Sequence, residues 1–155
     1  MIGRLLGVDH GLARLGLAVS DATGLVAREL TVIHRKSRAE DFALINRIAA
    51  EQRVVAIIVG LPSNPDANPN PPSQADKVRS WVEHLAATTD LPIQFWDEQM
   101  SSHDAQILAR RRKRRPKAPI DDLAARVILQ SYLDALRDGL APPPLPSHPT
   151  HPSQE

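Results

Sequence analysis

The chain has no cysteine among its 155 residues. Disulfide staples and thiolate metal sites are therefore excluded, and the composition fits a reducing compartment. Aromatic residues are scarce, at 3%, so a core has to be assembled from Leu, Ile, Val and Ala. The first segment carries Arg4 and a short apolar run broken by Asp9, unlike a signal peptide or a membrane span. A cytoplasmic protein is expected. The length suits one domain around one core, and an apolar content of 42% is ordinary for a globular protein.

Net charge is only +1, but it is segregated. Arg110, Arg111, Arg112, Lys113, Arg114, Arg115 and Lys117 supply 7 of the 19 basic residues, which leaves 12 bases against 18 acids elsewhere. A basic block on an otherwise acidic chain suggests a localised contact with a polyanion. A solvated charged loop has the same composition, so both readings stand at this level.

Residues 4–9 read as a buried strand, and 14–20 alternate Leu15, Leu17 and Val19 with small residues as a second. The short link between them suits a hairpin turn. A third strand near 25–34 completes a meander. Ser37 then caps a helix over about 38–52, with Phe42, Ile45, Ile48 and Ala49 on one face. The apolar run 54–59 ends at Gly60 and has the character of a parallel strand buried on both faces. Five prolines in 61–72 exclude regular structure there. A helix is expected from Ser73 to about Thr88, a strand at 91–96, a helix from Ser101 or Ser102 to about Arg111, and a last helix from Asp121 to Arg137. From Gly139 the chain has six prolines and little to pack, so 1–138 is read as the domain and 139–155 as a disordered tail. Three hairpin-like strands followed by alternating helices and strands predict an α/β domain with a mixed sheet.

Acids stand out at three places. Asp9 ends an apolar strand, where a carboxylate is costly unless it is paired, hydrogen-bonded or bound to metal; a turn-forming Asp is the plainer reading. Asp97 and Glu98 follow a strand's carboxyl end, the edge where open α/β sheets bind ligands; a solvated loop is the alternative. Asp121 falls on the stripe formed by Ala125, Ile128, Leu129, Tyr132, Ala135 and Leu136, so it is expected to point at the sheet, while Arg126, Gln130, Asp134 and Arg137 form the opposite face. An N-cap role for Asp121 is compatible with this. Two carboxylates 4 Å apart repel by about 4 kcal/mol at an effective dielectric near 20, so three together call for a cation. Oxygen-only ligands suit Mg²⁺ or Mn²⁺, and paired divalent ions are the usual device for phosphodiester hydrolysis. Acidic ligands plus a basic loop therefore point to nucleic-acid cleavage.

The stretch GVDHGLARLGLAVSD at 7–21 resembles the opening motif of the YqgF (RuvX) family of pre-16S rRNA nucleases, also described as Holliday junction resolvase-like. Asp9, Gly11, Arg14, Gly16, Ala18, Ser20 and Asp21 carry the match. VGLP at 59–62 with Asn64 and Asp66, DEQMSS at 97–102, and IDDLAARVILQSYLD at 120–134 are similar to its later motifs. The resemblance covers residues 1 to about 138. It implies a ribonuclease H-like fold, with the first three strands antiparallel, parallel strands after them, and helices on both faces. It implies the acidic triad Asp9, Glu98 and Asp121 as catalytic residues and metal ligands for Mg²⁺ or Mn²⁺, with two ions. It also implies a role in precursor 16S rRNA processing during ribosome biogenesis. Two positions depart from the pattern: Gln99 stands where the family usually has Arg, and Ala67 where it usually has Gly.

Arg14 is a candidate phosphate contact or a support for the strand turn, and Asn64 a candidate substrate contact or ordinary turn chemistry. With the basic residues 110–115 they form the expected nucleic-acid-binding set. Trp81 and Trp96 are expected in the core, and His103 at the surface. The expected partner is nucleic acid, RNA ahead of DNA, within pre-ribosomal particles, with the protein a monomer or weak homodimer. A junction-cleaving DNA endonuclease would use the same triad but requires a stable dimer. A non-catalytic ribosome-assembly module is the alternative outside enzymes. A phosphotransfer enzyme of the actin and sugar-kinase type also begins with an Asp-x-Gly strand, but no second Asp-x-Gly appears.

Overall fold

A computed structural model of the chain describes residues 3–62, 73–98 and 121–144, with the backbone alone at Asp121 and Asp122. Among the described residues, five strands and three helices follow in the order β1 (Arg4–His10), β2 (Arg14–Ser20), β3 (Ala27–His34), α1 (Arg38–Gln52), β4 (Val54–Leu61), α2 (Gln74–Ala86), β5 (Ile93–Asp97) and α3 (Asp121–Arg137). The sheet order is β3-β2-β1-β4-β5. Pairing is antiparallel between β1 and β2 and between β2 and β3, and parallel between β1 and β4 and between β4 and β5. This is the mixed sheet expected. The helix expected from Ser101 or Ser102, the basic block at 110–117, Asn64, Ala67, Gln99 and residues 145–155 lie outside the described residues.

Local chemistry sets the element ends. The β1–β2 link is closed by Gly11, whose N–H donates to the Arg14 carbonyl at 2.9 Å. A Cβ there would sit 2.6 Å from that same oxygen, so the turn admits only glycine. β3 starts at Ala27 rather than 25, because Leu25 and Val26 donate their N–H groups to the Asp21 carboxylate instead of to a strand. Those bonds and the Thr23 hydroxyl hold Asp21 down at about 2, the Thr23 bond contributing most. The Ser37 hydroxyl caps α1 by accepting from the Glu40 N–H. Ser73 and Asp76 form a reciprocal capping box on α2. α2 stops at Ala86, short of Thr88, whose N–H and hydroxyl both turn back to the Leu85 carbonyl. β5 begins at Ile93 and not at Leu91, because Pro92 has no N–H for a ladder. β4 runs through Gly60 to Leu61, which pair with Trp96 and Asp97.

Helices cover both faces. Leu6, Val8, Leu17, Ile57 and Val59 face α1 and α2, where Phe42, Ile45, Trp81 and Leu85 are buried. Leu5, Ala18, Ala56, Ile58 and Trp96 face α3, against Ala125, Ile128, Leu129 and Tyr132. The alternation along each strand produces this division. On α1 the buried face also includes Asp41, while Ile48 is only partly buried.

Two sets of contacts were not visible in the sequence. Arg126 and Gln130 bind a neighbouring strand and its turn. Arg126 pairs with Glu29 at 3.2 Å, and Gln130 accepts from the Ala27 N–H and donates to the Leu25 carbonyl. The reason is tertiary: β3 and its preceding turn flank the side of α3, which a helical projection of one element does not represent. Past Gly139 the chain stays in contact with α3 as far as Pro142. The Tyr132 hydroxyl donates to the Pro142 carbonyl at 2.6 Å, and Ala141 packs against the α3-side core.

Candidate active site

Asp9 lies next to last on β1, on the face that Leu5 and Gly7 present to α3. On β2 its register partner is Gly16. On β4 the parallel register runs to Val8 and Val59, so one further step sets Asp9 beside Gly60. Glu98 follows the end of β5, and its Cγ would lie 3.4 Å from a Cβ built at Gly60. Asp9 and Glu98 therefore flank β4 on one sheet face, two strand spacings apart across the sheet, with Glu98 two residues further along the strand direction. The residue between them has no side chain. A Cβ at Gly60 would also meet Ile128 Cδ1 at 2.5 Å, so the α3 side of this strand end closes down on Gly60.

Glu98 is half-buried, and its carboxyl is pushed above the usual carboxylate range, first by burial and then by the neighbouring charge of Asp97. Asp97 is exposed and follows Trp96 on the strand with the opposite facing. Of the two adjacent acids, Glu98 is thus the one turned toward Gly60.

The third acid, Asp121, opens α3. That helix is pressed onto β1: a Cβ at Gly7 would lie 2.8 Å from Leu129 Cβ and 3.1 Å from the Ala125 carbonyl oxygen. One turn before Ala125 the helix reaches the backbone of Asp121, in the direction in which β1 runs from Gly7 to Asp9. The side chain of Asp121 is outside the described residues, and among the described residues no group of three potential ligands is gathered. The helix is fixed from both flanks. Trp96 Nε1 donates to Ser131 Oγ at 3.0 Å from β5, and Gln130 and Arg126 bind β3 and its turn.

Arg14 starts β2 on the same sheet face as Gly16 and Ala18, exposed at the outer edge beyond Asp9. Asn64 and Arg110 to Arg115 lie outside the described residues. Sequence reasoning missed the part played by Gly16 and Gly60 beside the acids, and the anchors Gln130 and Ser131. The available signal was a set of glycines in strands that face an amphipathic helix.

The family model described as "RuvX: Holliday junction resolvase" matches residues 3–135. A "Putative pre-16S rRNA nuclease" of Thermoanaerobacter pseudethanolicus is 40% identical over 139 residues, covering 87% of this chain and 99% of the relative. One of the same name from Symbiobacterium thermophilum is 40% identical over 140 residues, covering 85% and 92%. Among solved structures, Thermus thermophilus RuvC in complex with a Holliday junction substrate aligns with a TM-score of 0.67 at 18% identity, over 92% of this chain and 99% of that one. The fold is the ribonuclease H-like one, and the class is that of nucleases, hydrolases acting on phosphodiester bonds. The chain belongs to the RuvX family.

Proposed function

We propose that this protein is a divalent-metal-dependent nuclease acting on structured RNA, with precursor 16S rRNA as its substrate in the cytoplasm. It works as a monomer or weak homodimer on pre-ribosomal particles. The observation that carries the reading is the placement of Asp9 and Glu98 on one sheet face around the side-chain-free position Gly60. This arrangement lies at the carboxyl ends of β1, β4 and β5, toward the end of α3 that begins with Asp121. The names of the relatives supply the substrate class.

The donor set fits Mg²⁺ or Mn²⁺: it is oxygen-only, anionic, and set in a sheet edge where uncompensated carboxylates are costly. Asp9, Glu98 and Asp121 would hold the ions, which when bound supply Lewis-acid stabilisation of charge on the phosphoryl oxygens. The residues of this chain do the rest. Gly60 lets Ile128 and the Glu98 side chain approach the sheet between the two acid-bearing strands. The Trp96–Ser131 and Gln130 bonds hold α3, and with it the third acid, at a fixed offset from β1. Arg14 and the basic residues 110–115 would bind phosphates along the substrate.

Incubation with Mg²⁺ or Mn²⁺ and a panel of RNA, single-stranded DNA and four-way junctions tests the reading, with Asp9→Asn as control. Cleavage of RNA by the wild type, lost in Asp9→Asn while the metal-free melting temperature holds or rises, is expected. Millimolar Mg²⁺ should raise the wild-type melting temperature by mass action, and the variant should lose much of that rise. Undiminished cleavage by Asp9→Asn would refute the assignment. Selective junction cleavage by a stable dimer would replace RNA with DNA as the substrate. Replacing Arg112, Arg114 and Arg115 with Ser should weaken RNA binding and flatten its salt dependence, by about 0.7 in log–log slope for each phosphate no longer neutralised.

A further inference from the structure

A second feature lies at the same sheet edge on the opposite face. His10 follows Asp9 on β1, so its side chain projects away from α3. It lines a pocket of about 350 Å³ together with Arg35, Arg38, Lys77, Ser80 and Trp81. Three elements supply the pocket's cations: the segment after β3, the start of α1 and the first turn of α2. Arg35 donates through one guanidinium nitrogen to the Gly11 and Leu12 carbonyls, at 2.8 and 3.3 Å, so it is moored to the β1–β2 turn with its remaining N–H groups in hand. Arg38 contacts His84 Nδ1 at 3.3 Å. Among the described residues none of these three cations is paired with a carboxylate. Asp76, the acid lining the pocket, is already engaged by the Ser73 N–H and by Arg79.

The pocket wall also contains polar atoms without partners. His10 Nδ1 and Trp81 Nε1 are buried and make no hydrogen bond, and Trp81 is only 1% exposed. The two rings meet edge to face at 4.9 Å. Polar atoms buried without partners are uncommon and costly in a native fold. Three like charges around one concavity, whose lining acid Asp76 is already engaged elsewhere, are likewise unfavourable unless an anion completes them. Arginine and lysine around a concavity, with a hydroxyl that can also donate at its rim, make a donor-rich set, which is the chemistry that recognises phosphate.

We propose that this pocket binds a backbone phosphate of the nucleic-acid substrate, so that the strand is gripped on both faces of the β1 end: at the carboxylates on the α3 side and at Arg35, Arg38 and Lys77 on the α1–α2 side. The proposal rests on the nuclease reading for its ligand. Asp9 and His10 are consecutive residues, so a strand seated at the carboxylates reaches the pocket by crossing the β1–β2 turn.

Binding of a fluorescent single-stranded RNA, measured in EDTA across a salt series, tests it. The full chain is compared with Arg38→Gln/Lys77→Gln and with Arg47→Gln/Arg137→Gln. The second pair removes the same charge from α1 and α3, outside the cation cluster. Removing one charge-assisted bond to phosphate should weaken binding about tenfold and make the log–log salt slope shallower by about 0.7, with the control pair within about twofold. Lys77→Glu alone, at an exposed position, repeats the test should the double variant fold poorly. Equal losses in both pairs, or none in either, overturn the proposal. So does inorganic phosphate, followed by ³¹P NMR, binding the wild type and not the pocket variant while RNA affinity is unchanged. Cleavage with Mg²⁺ separates the two readings. A pocket variant with raised KM and unchanged kcat supports both. Wild-type cleavage with an unaltered variant KM removes the pocket alone, and RNA binding lost in the pocket variant of a wild type that cleaves nothing removes the nuclease alone.

Discussion

Replacing Gly7 with Ala should disturb the proposed active site from one turn away. The added Cβ would sit 2.8 Å from Leu129 Cβ and 3.1 Å from the Ala125 carbonyl oxygen. Neither atom is the end of a flexible side chain, so no rotamer change relieves the clash. Ordinary van der Waals separation requires α3 to lift by roughly 1 Å. Overpacking of this kind costs about 1–3 kcal/mol, against a gain of about 0.4–1 kcal/mol from the smaller unfolded-state entropy of Ala. The net loss is about 1–2 kcal/mol, or roughly 2–8 °C in melting temperature at this chain length. The functional effect should be larger than the stability effect. Asp121 opens the same helix, and a displacement of about 1 Å in a catalytic constellation costs on the order of 10²-fold in rate. Calorimetry beside a cleavage assay run well below the melt checks both numbers. Leu129→Ala should not rescue the variant, because it retains the Cβ that clashes. A Gly7→Ala protein with wild-type stability and cleavage would refute the close approach of α3 to β1.

Gly60→Ala should also lose stability and cleavage, but here Ile128→Val in the same chain should restore part of the stability, because it removes the Cδ1 met at 2.5 Å; urea denaturation of the double-mutant cycle measures the coupling. Ser131→Ala should cost about 1–2 kcal/mol in the same assay, since it leaves Trp96 Nε1 buried without its acceptor, and a neutral result would show that the bond does not hold α3. Truncation after Asp138 should lower the melting temperature relative to truncation after Pro144, with Tyr132→Phe reproducing part of the loss, because the shorter chain lacks the Pro142 carbonyl. Burial pushes the Tyr132 hydroxyl up to about 12 from 10.0. Its contribution is therefore fully present below pH 10 and lost as pH rises toward 12, and an alkaline unfolding series should show a shallower decline for Tyr132→Phe.

Much of this protein was legible in one dimension. Strand and helix periodicity located β1, β2, α1 and α3, because each is long and regularly patterned and ends at a residue with a specific local role: Gly11 at the turn, and Ser37 at the cap. The motifs around Asp9, Glu98 and Asp121 led to the family for the same reason: they are short, local and chemically distinctive. Relations across strands had no such signature. That Asp9 lies beside Gly16 and Gly60, that Glu98 rather than Asp97 turns to Gly60, and that His10 joins Arg35, Arg38 and Lys77 on the other face all follow from sheet order and register. The roles of Gln130 and Ser131 were likewise invisible in a helical projection, because it shows which side of a helix is apolar but not that a neighbouring strand and turn lie along its flank. Local sequence determines which residues alternate or cap. Which of them meet is decided by the packing of α3 on a sheet whose neighbours are far apart in the chain.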